Sequence, residues 1–160
     1  MKKPLTLSGP MNLHLYVSTM GSDTSLSAVV TDVAPDGTSD VITGGSLVAS
    51  LRKVTRRKCG TRTEYCSVYA GGQIIEPWHP YTYDSLAPME PNSVEQLQLE
   101  IFPTTARIQK GHRLRVVVMS GDTPHRADTA STVTGKATGG GLDWLWFGPG
   151  YPSRLFLGAA

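Results

Sequence analysis

The sequence predicts an all-β, two-sheet sandwich. Apolar and polar residues alternate in several short runs, 17 Gly and 11 Pro break those runs, and only 18% of residues are charged. At 160 residues the chain has the size of one domain, spanning 1–160, and one core of that size would bury about 68–70% of the surface of the unfolded chain.

Residues 11–19 place Met11, Leu13, Leu15 and Val17 on one face and Asn12, His14, Tyr16 and Ser18 on the other, the pattern of a half-buried strand. Residues 21–24 form a turn, and Leu26, Ala28 and Val30 resume the alternation until Pro35-Asp36-Gly37 breaks it. Two antiparallel strands joined by a tight turn are therefore expected. Residues 41–50 form a strand with Gly44-Gly45 in its middle, marking a bulge or a bend that would let it serve both sheets.

Residues 53–92 lose periodicity and read as a long loop, functional or partly strand. At 94–101 the alternation returns with Leu97, Leu99 and Ile101 inward, and Pro103 closes the strand, leaving 106–108 as a short edge piece. Residues 113–120 are a strand whose second half, with Val117 and Met119, is expected to be covered on both faces. Small polar residues at 126–141 read as a mobile loop, and 143–147 and 152–157 supply the last strands. About eight strands at irregular spacing match a jelly roll.

A net charge of +2 gives little field for nucleic acid or an anionic membrane, so neither is expected as a partner. Charge is uneven only where Arg52, Lys53, Arg56, Arg57, Lys58 and Arg62 crowd together. That segment reads as a solvated hairpin arm whose like charges discourage edge pairing. The N-terminal residues contain no apolar run long enough for a signal peptide or a membrane span, which predicts a soluble chain. Cys59 and Cys66 are too few for a four-cysteine zinc site, while a disulfide and two free thiols both stay open.

No Gly-x-Ser-x-Gly elbow occurs, because Gly44-Gly45-Ser46-Leu47-Val48 lacks the second glycine, so no catalytic residue is expected. His14, His79, His112 and His125 lack the short spacings that bring two imidazoles to one metal, and neither metal nor cofactor is expected. Two aromatic clusters stand out: Trp78, His79, Tyr81 and Tyr83 among prolines, and Trp144, Trp146, Phe147 and Tyr151 among glycines. They either cap the sandwich or form an exposed patch for docking or binding. The candidates for that role are Trp78, His79, Tyr81, Trp144 and Trp146, and homo-oligomerisation stays open.

The order of segments carries a resemblance. It runs from the strand at 7–19, led in by Gly9-Pro10, through Asp32-Val33-Ala34-Pro35-Asp36-Gly37 to 97–101 with Pro103-Thr104-Thr105-Ala106. It continues with Gly111-His112-Arg113-Leu114-Arg115, Asp122-Thr123-Pro124-His125 and Pro152-Ser153-Arg154-Leu155. This series resembles, over nearly the whole chain, the C-terminal domain of X-Pro dipeptidyl-peptidases and of their cocaine esterase and glutaryl-acylase relatives. The resemblance implies a galactose-binding-like jelly roll following an α/β-hydrolase domain that supplies the Ser, Asp and His of the triad. It implies an accessory role, supporting and partly walling the active site of a catalytic partner domain; the aromatic, proline-stiffened loop at 78–83 is the candidate facing surface. The basic arm with Cys59 and Cys66 has no counterpart in the family pattern. A stand-alone carbohydrate- or protein-binding module is the alternative.

Overall fold

The computed structural model describes residues 1–59, 65–120 and 141–159. The expected loop at 126–141 lies almost wholly outside them, as do Arg62 and the turn with Asp122 and His125.

The all-β sandwich forms as predicted. One sheet centres on β1 (Leu5–Thr19), flanked on one side by β7 (Glu95–Ile108) and on the other by β10 (Arg154–Ala159) and then β9 (Asp143–Trp146). The facing sheet has β2 (Ser25–Val33) between β3 (Ser39–Val48) and β8 (Arg113–Met119). The inward parity is the one the alternation indicates: Met11, Leu13, Leu15 and Val17 pack with Leu97, Leu99 and Ile101 against Leu26, Ala28 and Val30. Burying each of these larger side chains contributes about 1.5–3 kcal/mol.

Three expectations are corrected. The strands at 11–19 and 25–33 do not form a hairpin but lie in opposite sheets, because both edges of β1 are taken and β2 pairs with β3 and β8. Pro103 does not close its strand. It falls where the β1–β7 register shifts, from Gly9↔Thr104 to Met11↔Ile101, opposite Pro10, so neither proline has to donate a ladder hydrogen bond. Nor is the second half of β8 covered on both faces: Val117 remains exposed, and among the described residues β8 pairs only with β2. Residues 53–92, expected to be a functional loop or partly strand, are partly strand. They contain β4 (Lys58–Cys59), β5 (Ser67–Ala70) and β6 (Gln73–Glu76), a small third sheet in which β4 runs parallel to β5.

Gly44-Gly45 works as a contact point, while the register shift of β3 falls beside it at Ile42. A Cβ on Gly45 would lie 1.8 Å from the Glu100 carbonyl oxygen of β7, so this strand does close one side of the sandwich against the other sheet. Cys59 and Cys66 are joined in a disulfide with Cα atoms 5.9 Å apart, tying β4 to the start of β5.

Candidate docking surface

The two aromatic clusters meet different fates. In the first, the Trp78 N–H donates to Ser67 Oγ at 3.0 Å, its carbonyl accepts from the Thr55 N–H, and its half-buried ring lies 6.1 Å from that of Tyr65. His79 is 2% exposed. Burial lowers its pKa, with the carbonyls of Gln98, Lys53 and Leu51 pulling the other way, so the neutral ring donates Nε2–H to the Gln98 carbonyl at 2.8 Å. His79 therefore anchors the segment from beneath and offers no surface. Tyr81, in the left-handed region at φ 52, and Tyr83 point to solvent, beside a 3₁₀ turn (Tyr83–Ser85) capped by reciprocal Thr82 and Ser85 hydrogen bonds.

The second cluster is built on β9. Strand side chains alternate between faces, so a half-buried strand hides every second residue. Here Trp144, Leu145 and Trp146 are 40%, 38% and 38% exposed, and Leu142 and Phe147 at the ends are more so. The strand is apolar on both faces and buried on neither.

It is nonetheless firmly held. It pairs with β1 from Tyr16↔Trp146 to Thr19↔Asp143. Trp146 Nε1–H donates to Ser18 Oγ at 2.9 Å, the Thr24 hydroxyl donates to Asp143 Oδ2 at 2.7 Å, and the Met20 N–H donates to the Leu142 carbonyl. Tyr151 stacks 5.3 Å from Trp146 and 5.6 Å from Tyr16. The aromatic anchors are thus pre-ordered, which reduces the entropy lost on binding. Leu142 and Leu145 escaped the sequence reading; an unbroken apolar run at 144–147, violating period two beside Leu142, was the available signal.

Two motifs of the resemblance, the segments beginning at Asp32 and at Gly111, meet each other. β2 and β8 pair Asp32↔Leu114 and Val33↔Arg113, and His112 Nδ1 lies 3.0 Å from both carboxylate oxygens of Asp32. Gly37 and Gly111, at φ 93 and 89, make the turns on either side. Their chemistry is that of a corner of the sandwich. Among the described residues, no three His, Cys, Asp or Glu side chains gather as a metal-ligand set.

The chain thus folds as an all-β sandwich with an ordered apolar edge. Residues 1–155 match the X-Pro dipeptidyl-peptidase C-terminal non-catalytic domain, and the chain belongs to that family, whose larger members are hydrolases. A protein of Mycobacterium bovis named as a serine esterase is 27% identical over 124 residues, covering 78% of this chain and 18% of its own length. Among solved structures, a CocE/NonD family hydrolase from Staphylococcus aureus is similar across the whole chain with a TM-score of 0.78 at 21% identity, and an α-amino acid ester hydrolase with 0.70 at 19%. The chain spans 29% and 24% of those two proteins. It corresponds to under a third of each relative.

Proposed function

We propose that this chain is the docking and pocket-walling module of a serine hydrolase acting on X-Pro peptides, esters or amides, whose Ser, Asp and His lie on an α/β-hydrolase domain. The observation that carries the reading is β9, an ordered strand presenting Trp144, Leu145 and Trp146 on both faces to solvent. Rigid tryptophans fixed by neighbouring hydrogen bonds are the side chains that dominate interface energies. The stiff turn bearing the exposed Tyr81 and Tyr83 is the second contact in this reading and its candidate pocket wall.

The test is calorimetric titration of the chain into the purified hydrolase domain, with the Trp144→Ser/Trp146→Ser double variant alongside. The variant is expected to bind at least about tenfold more weakly while keeping its β circular dichroism. Equal affinity for the two proteins would remove β9 from the interface. Saturable sugar binding lost in the same variant, or self-association of the chain in place of hydrolase binding, would favour the stand-alone module instead.

A further inference from the structure

The outward face of the first sheet is polar, yet part of it is roofed by the small third sheet. Asn12 Nδ2 of β1 donates to the Ile74 carbonyl of β6 at 2.8 Å, and beside this contact opens a cleft of about 430 Å³. That volume falls in the range of small-molecule sites, about 300–1,000 Å³. His14 and Gln98 line it from the sheet, and Arg56, Lys58, Tyr69 and Gln73 from the roof.

Among the described residues, the lining is rich in donors and contains no carboxylate. Lys58 Nζ sits 4.9 Å from the Tyr69 ring centroid, a cation–π contact that orients it without neutralising it. Arg56 makes no ion pair with another described residue. Glu76, beyond Ile74 on β6, is buried and already engaged, and Glu100 on β7 is engaged as well. Beneath the cleft, the fully buried Asn12 offers two Nδ2 hydrogens to three acceptors: the Ile74 carbonyl, His14 Nε2 at 3.0 Å and Gln98 Oε1 at 3.1 Å. Gln98 thereby turns its carbonyl end inward. Burial, then the Arg154 charge, holds His14 neutral, so the positive charge of the cleft belongs to Arg56 and Lys58.

We infer that this cleft binds a small organic anion, a carboxylate or phosphate ester, with its oxyanion between Arg56, Lys58 and the Gln98 amide and its carbon skeleton against Ile74 and Tyr69. A planar guanidinium grips such a group bidentately, and a neighbouring ammonium adds a point charge. No docking partner is needed, so the test on the chain alone is independent of the role proposed for β9.

Citrate and phenyl phosphate are titrated into the 160-residue chain at low ionic strength, with galactose as a neutral control, and read by calorimetry and thermal shift. Saturable one-site binding is expected, weakening with added salt, with at least a tenfold loss in Arg56→Gln/Lys58→Gln and none in the control Arg113→Gln on the distant β8 edge. Both cleft residues are exposed, so the double variant should keep the melting temperature of the unliganded chain. No saturable binding of either anion, undiminished affinity in the double variant, or equal binding of galactose would overturn the inference.

Discussion

His14 and His79 occupy opposite ends of the Gln98 backbone and side chain, and burial lowers the pKa of both rings. Their folded values lie below the unfolded value of about 6.5, so the unfolded chain takes up protons that the folded chain refuses. The stability they contribute is complete above about pH 7 and is lost as pH falls through 6.5. The urea midpoint should therefore fall more between about pH 7.5 and about pH 5.5 for the native chain than for His14→Gln/His79→Gln. Equal falls would contradict the burial of these rings. Gly45 makes a second residue-level prediction: a methyl group there meets backbone, not a movable side chain, so Gly45→Ala should exceed the usual overpacking cost of about 1–3 kcal/mol. Melting should drop by roughly 10 °C, against no measurable change for Gly150→Ala, whose Cβ meets nothing within 4 Å. An unchanged Gly45→Ala melt would mean that β3 and β7 are not in contact. The roles of these residues were only partly legible in the sequence. Gly44-Gly45 announced a special backbone position, but the burial of His79 depends on a carbonyl 19 residues away.

Among the elements, the faces of the strands could be read and their partners could not. Period two put Met11, Leu13, Leu15 and Val17 inward correctly, because side-chain parity is a local property. Whether β1 pairs with β2 or faces it across the core is decided by long-range competition for its edges, which no local pattern records. Pro103 misled for a related reason: a proline ends a strand unless the register shifts opposite it, and that shift is a property of the pair of strands. The β4–β6 sheet was hidden because strands of two and four residues are too short to show a period. Its closure by the Cys59–Cys66 disulfide, seven residues apart in sequence, carries a loop-entropy contribution of about 2–3 kcal/mol. Reduction, or Cys59→Ser/Cys66→Ser, should accelerate amide exchange in β5 and β6 while leaving β1, β2 and β7 protected. Uniform acceleration across the sandwich would show that the small sheet is not a separate unit of stability.

The whole molecule shows a division of labour: a β sandwich with an apolar edge it does not bury, and membership of a family of non-catalytic domains that assigns the chemistry elsewhere. The resemblance was readable from the order of its motifs, although those motifs turned out to build the Asp32–His112 corner and not a site. The most direct measurement pairs scanning calorimetry with turnover of a p-nitrophenyl ester for the hydrolase domain, the 160-residue chain, and their mixture. The account predicts no turnover by the chain alone, and a raised melting temperature for the hydrolase domain in the mixture that is lost with Trp144→Ser/Trp146→Ser. Turnover by the isolated chain, or a hydrolase domain whose melting and activity ignore the chain, would contradict it.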